Sequence, residues 1–258
     1  MPEETVSPAE SIPEDPVDLS AEFLLAVRRG ESAERFVTAL AGLDGGALAR
    51  ALDTDGARLA FWLNIYNAVT QQELAANPAQ YENRRSFFST PLVTVAGREL
   101  SLDDIEHRIL RRSYSVYTLG YLRRPGFLRD AYFERHAPGK RDPRIHFALN
   151  CGAESCPPIA AYTRAEIDDQ LDIATEGYLD QTVAFDPDAG GPLAGLRGSG
   201  RVLVPRVMLW FRGDFGGKAG IYDFLHQYDQ LPDGTSPRLS YRDWDWSLDL
   251  GDYTERSR

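Results

Sequence analysis

Hydrophobic positions along the chain follow a helical period in some segments and alternate in others. Residues 55–76, DGARLAFWLNIYNAVTQQELAA, are apolar nearly all round a helical wheel, which predicts a long, central, buried helix. Residues 20–43 predict two short amphipathic helices that are separated near Gly30 and capped by Ser20 and Ser32. We expect these two helices to be packing elements.

Alternation of apolar and polar residues marks two further segments. The β-branched alternation in residues 87–101, with a turn at Gly97, predicts a hairpin. A helix is expected to follow it, with Ser101 as its N-cap and Asp104 three residues further on. Residues 145–151 alternate again, which predicts a half-buried strand.

The rest of the pattern predicts short strands scattered among unequal helices. The expected elements are a helix over residues 163–180, a strand at 201–205, a helix starting at Pro205, a helix near 218–228 and a closing strand within 239–250. Regular βαβ spacing is absent, so we expect an α+β fold. Its single domain would have a small, mostly antiparallel sheet packed by several helices.

Composition supports one folded domain behind an acidic leader. Residues 1–18 are rich in Pro, Glu, Asp and Ser, which predicts a disordered segment before a globular domain over residues 19–258. With 43% hydrophobic residues, that domain can bury a full core. A net charge of −11 without a dense Lys/Arg run repels phosphate backbones, which excludes nucleic-acid binding.

Membrane association is not expected either. No apolar run approaches the ~20 residues that a membrane-spanning helix needs. The N-terminus has no basic region followed by an apolar stretch, so no export signal is visible. We therefore expect a soluble, cytoplasmic protein.

Residues 145–158, IHFALNCGAESCPP, contain both cysteines of the chain and one of its four histidines. The predicted strand places Cys151 on the apolar face and His146 with Asn150 on the opposite face, whereas Cys156 lies in the following loop. Reduced thiols are expected, although a Cys-x4-Cys spacing could close a small loop in an oxidising compartment. Pro157 disfavours a helical conformation at Cys156.

A cysteine and a histidine within hydrogen-bond reach form a couple suited to acyl transfer or amide hydrolysis. Cys156 and His146 are the candidates, and the loop amides of residues 152–155 could supply an oxyanion hole. The alternative is an inert, buried thiol beside a hydrogen-bonded core histidine. A zinc site with Cys151, Cys156 and histidines is a lesser alternative, since alternation directs Cys151 and His146 to opposite faces.

Other polar residues each have two interpretations. Asn64, Asn67 and Gln71 form one amide stripe on the predicted central helix, which either binds neighbouring backbone or lines a polar site. Glu106 is either a rim residue or a buried partner of His146. Asp245 is either part of a solvated edge or the carboxylate that orients the histidine.

Charged residues outside these motifs have simpler expectations. We expect His107, His136 and His226 to be surface residues. Asp214 and Trp210, four residues apart, would cover one another.

The motifs together resemble the domain of unknown function 547 family over roughly residues 55–250. They are FWLNIYNAVT, ELSLDDIEHRIL, RIHFALNCGAESCPPI, VMLWFRGDFGG and WDWSL. By this resemblance, family motif positions fall on Asn64, Tyr66, Asn67, Glu106, His107, His146, Asn150, Cys156 and Asp245. Two positions depart from the family pattern: VMLWF stands where IFKWY is usual, and Asp249 stands where Asn is usual.

The order of elements is also similar to the core of papain-like and transglutaminase-like folds. In those folds the N-terminus of the central helix carries the cysteine, whereas here that helix offers Asn64 and Asn67. Either Cys156 has taken over the role of nucleophile, or the domain keeps the scaffold without the chemistry.

The functional hypothesis is a cysteine-dependent hydrolase or acyltransferase that acts on a peptide or on a small amide or thioester, without a cofactor. Its catalytic residues would be Cys156 as nucleophile, His146 as base and then acid, and Glu106 or Asp245 as the orienting group. Its substrate-binding residues would be Asn64, Tyr66, Asn67 and Asn150. The competing hypothesis is a non-catalytic domain that binds a protein partner through Trp210, Trp244 and Trp246.

Overall fold

A 22-residue helix, α4 (Asp55–Ala76), runs through the centre of this computed structural model, which describes residues 12–189 and 200–254. Its bounds are those predicted from the apolar pattern. Thr54 caps it by accepting a hydrogen bond at Oγ1 from the Ala57 amide at 3.2 Å. Phe61, Trp62 and Leu63 are all fully buried, so three consecutive directions around the helix face protein.

The other α-helices of the described residues are shorter than α4. They are α1 (Pro16–Arg28), α2 (Glu34–Ala41), α3 (Gly45–Ala51), α5 (Arg84–Ser89), α6 (Ala131–His136), α7 (Ile167–Thr182), α8 (Val207–Trp210) and α9 (Gly217–Gln227). Helix α1 is capped by Asp15, and the predicted cap, Ser20, instead lies inside α1 and donates to the Val17 carbonyl at 2.7 Å. Helix α1 thus begins before the expected end of the leader at residue 18, and residues 1–11 of that leader lie outside the described residues.

Two small sheets complete an α+β fold, as predicted. The strands are β1 (Pro91–Val95), β2 (Arg98–Ser101), β3 (Ala184–Asp186), β4 (Arg201–Val204) and β5 (Arg238–Tyr241). Strands β1 and β2 form the predicted antiparallel hairpin. Strand β4 pairs antiparallel with β3 and parallel with β5, so the second sheet is mixed.

The predicted strand over residues 145–151 was wrong. Residues Pro143–Phe147 form a 3₁₀ helix, which Asp142 caps by accepting from the Arg144 amide at 3.0 Å. The closing strand within residues 239–250 is also shorter than predicted, because β5 ends at Tyr241. The chain after β5 packs instead along residues 151–156, which we call the cysteine loop. There the Glu154 amide donates to the Ser247 carbonyl at 2.8 Å.

Two clusters of buried apolar side chains meet near the 3₁₀ helix. The first cluster surrounds α4 and includes Ile145, whereas the second surrounds β4 and α9 and includes Phe147. We call the boundary between these clusters the seam. Within the described residues, no helix has the length and apolar character required to cross a membrane.

Candidate active site

A pocket of about 180 Å³ lies at the seam and collects most of the reactive side chains singled out in the sequence. Its polar and reactive lining includes Tyr66, Asp103, Glu106, His107, His146, Cys151 and Cys156. Pockets for drug-sized ligands usually measure roughly 300–1,000 Å³, so this one holds a single side chain or small group.

His146 is fixed inside the pocket by its second ring nitrogen and by stacking. Its Nε2 lies 3.0 Å from Oδ2 of Asp214, and its ring stacks on Phe211 with centroids 4.2 Å apart and planes 5° apart. Burial lowers the pKa of His146 below its ordinary value, although the Asp214 carboxylate opposes that shift. A neutral imidazole bound to Asp214 through Nε2–H keeps a free lone pair on Nδ1, as a general base requires.

Asp214 is the centre of a buried ion network. Its Oδ2 accepts from Arg111 Nε at 2.6 Å, and its Oδ1 accepts from Arg141 Nη1 at 2.6 Å. The Arg111 side chain is fully buried, and its guanidinium lies over the Phe211 ring at 4.3 Å. Burial alone would raise the pKa of Asp214, but the hydrogen bonds from His146 and Arg111 outweigh it and hold that pKa below its ordinary value.

Gly120 packs directly against the Asp214 carboxylate, where only a residue without a side chain fits. At φ +79° it adopts a left-handed conformation, and a Cβ there would lie 2.3 Å from Oδ1 of Asp214. Its carbonyl also accepts from Arg141 Nη1 at 2.8 Å. A side chain at this position would displace the carboxylate that holds His146.

The segment Asp104–Leu110 is a π-helix that carries Glu106 and His107 to the pocket. The predicted capping interaction before it is present: Ser101 Oγ accepts from the Asp104 amide at 3.1 Å, and Asp104 Oδ2 accepts from the Ser101 amide at 3.2 Å. π-helical turns occur often at functional sites. Placing both residues on the pocket differs from the expectation that His107 would be a surface residue.

Burial shifts the ionisation of these π-helix residues. It raises the pKa of Glu106, an effect that the Arg111 charge opposes. Burial and the nearby Arg111 charge together lower the pKa of His107 to about 4. Tyr66 contacts Glu106 with its hydroxyl 3.5 Å from Oε2, and burial raises the pKa of Tyr66 well above its ordinary value, so the phenol keeps its proton.

The two cysteines lie against each other. Their Sγ atoms are 2.8 Å apart, and Cys156 Sγ also accepts from the Cys151 amide at 3.1 Å. The chain folds back through Gly152, whose φ is +82° and where a Cβ would approach Leu74 to 2.8 Å. The prediction that strand alternation separates Cys151 from Cys156 was therefore wrong, because the chain turns at Gly152 and no strand forms.

The amide stripe of α4 binds backbone. Asn67 pairs with the 148–150 segment, donating to the Ala148 carbonyl at 2.9 Å and accepting from the Asn150 amide at 2.9 Å. Asn64 pairs in the same way with both backbone groups of Tyr162. Of the two interpretations of the stripe, hydrogen bonding to neighbouring backbone is the one observed.

Asn64, Asn67 and Asn150 therefore do not offer the substrate contacts that the sequence suggested. All three side chains are buried. Asn150 donates to the Pro157 carbonyl at 2.9 Å and accepts from the Gly152 amide at 2.9 Å, so it holds the cysteine loop closed. Among the four predicted substrate contacts, Tyr66 lines the pocket.

Asp245 and the loop amides also have other partners. The Asp245 carboxylate is at the surface and accepts from the Ser247 amide at 2.8 Å, so Asp214 occupies the orienting position instead. The amides of Gly152, Glu154 and Ser155 donate to Asn150 Oδ1 and to the carbonyls of residues 247 and 245. An oxyanion hole made from those three amides is not available.

Three tryptophans form one wall of the pocket. The Trp210 and Trp244 ring centroids lie 5.3 Å apart, and those of Trp210 and Trp246 lie 5.8 Å apart in a stacked arrangement. Phe88 and Phe211 extend this aromatic wall. Trp210 therefore packs on the other tryptophans, so the expected mutual cover of Trp210 and Asp214 is not what buries Asp214.

No hydrogen bond joins Cys156 to His146, although both line the pocket. In unliganded active sites catalytic hydrogen bonds are often long and tighten when substrate binds. Among residues 12–189 and 200–254, no group of three or more His, Cys, Asp or Glu side chains is arranged to hold a metal ion.

Sequence reasoning missed the network formed by Arg111, Asp214 and Arg141. Arg111 and Asp214 lie 103 residues apart, so no local pattern joins them. The one available signal was a charged residue beside an apolar run: Arg111 follows RIL and Asp214 follows VMLWFRG. Such residues require a partner once the run is buried.

The fold and the pocket define an α+β protein with a cysteine pair, a histidine and an aspartate at the boundary of two apolar clusters. The chain belongs to the family described as Protein of unknown function, DUF547, whose model matches residues 50–179. That match includes Glu106, His146 and both cysteines, whereas Asp214 lies beyond it. Comparison with curated proteins gave no match, and comparison with solved structures gave none.

Proposed function

We propose that this protein is a cysteine-dependent hydrolase or acyltransferase acting on an amide or thioester. The observation that carries the proposal is the Asp214-bound imidazole of His146 in the same small pocket as the Cys156 thiol. A nucleophile, a base and a third group that orients the base are the parts that covalent acyl transfer requires.

Cys156 is the nucleophile and His146 the base. His146 Nδ1 takes the thiol proton while the sulfur attacks the carbonyl carbon, and the imidazolium then protonates the departing amine or thiol. Water or an acceptor nucleophile cleaves the resulting thioester of Cys156. Asp214 is a positioning residue, because its Oδ2 contacts Nε2 of the ring and not the reacting atoms.

Tyr66 is the candidate donor to the developing oxyanion. It keeps its proton because burial raises its pKa, and its contact with Glu106 is long at 3.5 Å. A hydroxyl without a short internal acceptor is able to turn toward a substrate oxygen. Before substrate binds, Glu106 accepts from this hydroxyl and so positions Tyr66.

The substrate has a small aromatic or apolar group on one side of the scissile carbonyl. The aromatic wall of the pocket provides a site for that group, and the pocket volume of about 180 Å³ limits its size. A second, more polar cavity of about 700 Å³ shares Cys156 and Trp244 with the first, so Cys156 lies between the two. The rest of the substrate is accommodated there.

An aromatic thioester, S-phenyl thioacetate, tests the nucleophile. We expect acetylation of Cys156, seen by peptide mass mapping, with release of thiophenol. In Cys156→Ser, thiophenol release should fall to the rate seen in buffer without protein. In Cys151→Ser, the acetyl group should still map to Cys156. Equal labelling of both cysteines, or release without a protein adduct, would contradict the proposal.

His146→Gln tests the base. General-base removal typically costs about 10²–10⁴-fold in rate, so we expect a loss of that order in thiophenol release. His226→Gln is the matched control. His226 lies on α9, its Nε2 is 2.9 Å from the Thr235 carbonyl oxygen, and it does not line the pocket. A loss of equal size in both variants would argue against His146 as the base.

A specific surface supports the second candidate function, a protein-interaction domain. Residues 117–128 expose several large apolar side chains, among them Tyr117 and Phe127 at 87% and Leu122 at 63%. Exposed apolar patches of this kind mark interaction sites. Pull-downs with wild type and with Tyr117→Ser/Phe127→Ser separate the candidates: a partner lost in that variant, together with unchanged thioester cleavage, supports interaction through this loop.

A further inference from the structure

The cysteine pair has a second chemical capacity besides acyl transfer. We infer that Cys156 and Cys151 form a peroxide-reactive pair, in which Cys156 is oxidised first and Cys151 resolves it to an internal disulfide. The Sγ atoms are already 2.8 Å apart, and a disulfide needs about 2.05 Å. Formation of the bond therefore needs only a small approach of two sulfurs that are five residues apart in the chain. It needs no movement of distant elements.

The surroundings distinguish the roles of the two sulfurs. Cys156 Sγ accepts from the Cys151 amide at 3.1 Å, and its sulfur lies 2.8 Å from that of Cys151. The thiol–thiol hydrogen bond with Cys156, together with burial, raises the pKa of Cys151 well above its ordinary value. Cys151 therefore remains a thiol while Cys156 reacts.

Both cavities give a small oxidant access to Cys156. Its overall exposure is only 7%, less than that of the half-buried Cys151, but it lines both the aromatic pocket and the larger polar cavity, whereas Cys151 lines the aromatic pocket. A hydroperoxide is compact enough to enter a space of about 180 Å³. Thiolate character and access together decide which cysteine is oxidised.

The reaction balances in two steps. The Cys156 thiolate attacks the terminal oxygen of a hydroperoxide, the O–O bond breaks, an alkoxide or hydroxide leaves, and Cys156 becomes a sulfenic acid. Cys151 then attacks the Cys156 sulfur, the S–O bond breaks, and the hydroxyl leaves with the Cys151 proton as water. The two sulfurs together lose two electrons, and the peroxide oxygens gain them.

The disulfide chemistry rests on the geometry of the pair, and only its consequence rests on the proposed function. If Cys156 is the acyl-transfer nucleophile, the disulfide removes it reversibly. It also prevents further oxidation to sulfinic acid, which ordinary thiols do not reverse. Hydroperoxide would then stop thioester cleavage, and a dithiol reductant would restore it.

Hydrogen peroxide and intact-protein mass measurement provide the test. The wild type should lose the mass of two hydrogen atoms, lose both alkylatable thiols, and yield a peptide crosslinked between Cys151 and Cys156. Dithiothreitol should restore the starting mass. Peptide mapping separates these products from oxidation of the two methionines.

Single variants test the assigned roles. Cys151→Ser should accumulate sulfinic acid at Cys156 without recovery in dithiothreitol, and Cys156→Ser should keep an unoxidised Cys151 at the same dose. If Cys151→Ser fails to fold by circular dichroism, Cys151→Ala replaces it. Wild type that forms sulfinic acid or only intermolecular disulfides would overturn the pair, and faster oxidation of Cys151 in Cys156→Ser would overturn the roles. These readouts are masses and do not depend on thioester cleavage. If the protein fails to cleave thioesters, the oxidation of the cysteine pair is therefore still tested.

Discussion

Asp214 joins two arginines and a histidine inside the protein. Both of its oxygens accept hydrogen bonds from Arg111, at 2.6 Å and 3.2 Å, and the side chain is 2% exposed. Removing one partner of a buried ion pair leaves an uncompensated charge, which typically costs about 3–5 kcal/mol. The residue therefore affects the stability of the fold and the orientation of His146 together.

We predict that Asp214→Asn lowers the free energy of unfolding by about 3–5 kcal/mol at neutral pH, because Arg111 stays buried and charged. Urea titration followed by circular dichroism measures this loss. The control is Asp130→Asn, which weakens an exposed pair with Arg98 and should cost at most about 1 kcal/mol. Equal losses in the two variants would show that Asp214 is not a buried charge.

His107 provides a second residue-scale prediction, on pH. Burial lowers its pKa from the ordinary 6.5 to about 4, so the unfolded chain binds a proton at higher pH than the folded one. Its contribution to stability is complete above about pH 6.5, is lost as the pH falls toward 4, and changes no further below that.

The change that isolates this effect is His107→Gln. Between neutral pH and pH 4, the free energy of unfolding of the wild type should fall by up to about 3 kcal/mol relative to that of the variant. Solvent screening reduces this difference, because the His107 side chain is 24% exposed. Urea titrations of both proteins across this range measure the difference, in which titrating groups remote from residue 107 cancel. Parallel pH curves for the two proteins would contradict a neutral, buried His107.

The sequence placed several pocket residues together but not the residue that orients the histidine. Glu106, His146 and Cys156 share motifs whose character is visible locally, and the structure brings all three to one pocket. Asp245 was a candidate orienting group because it lies on the less apolar face of a Trp-rich predicted strand. Whether a carboxylate faces a histidine depends on long-range packing, and here that packing selects Asp214.

At the scale of elements, α4 was the most predictable and the cysteine segment the least. A helix satisfies its own backbone, so 22 residues of suitable pattern and a Thr54 cap suffice to define it. A strand needs a partner, and alternation in residues 145–151 does not reveal whether one exists. In its place, the side chain of Asn67 satisfies the Ala148 carbonyl and the Asn150 amide.

This substitute for strand pairing is testable with Asn67→Ala. The change leaves two buried backbone groups without partners, each worth about 1–3 kcal/mol, so we expect a loss of about 2–6 kcal/mol in the free energy of unfolding. Alkylation of Cys156 by iodoacetamide should also change, because Asn150 holds the cysteine loop through the Pro157 carbonyl.

Gln72→Ala on the same helix is the control, since the structure gives Oε1 of Gln72 no hydrogen-bond partner. The Gln72 side chain is half-buried, so its removal should cost only the lost packing and leave no backbone group unpaired. If Asn67→Ala is as mild as Gln72→Ala, then the amide stripe does not hold the cysteine segment.

At the scale of the whole molecule, the candidate site lies on the seam between two apolar clusters. His146 belongs to a 3₁₀ helix whose neighbours Ile145 and Phe147 insert into different clusters. Asp214 is followed directly by Phe215, whose ring lies 6.0 Å from that of Phe147. The packing of the second cluster therefore sets the relative positions of His146 and Asp214.

Two matched core substitutions test this dependence. Phe147→Leu removes a fully buried ring at the seam. Phe23→Leu removes a fully buried ring of α1 that packs on Phe36. Each should lower the free energy of unfolding by a similar amount, about 1–2 kcal/mol, because each leaves a cavity of similar size. Only Phe147→Leu should also slow thioester cleavage, since it loosens Phe215 and with it Asp214. Equal catalytic losses at equal stability would mean that the seam does not position the site.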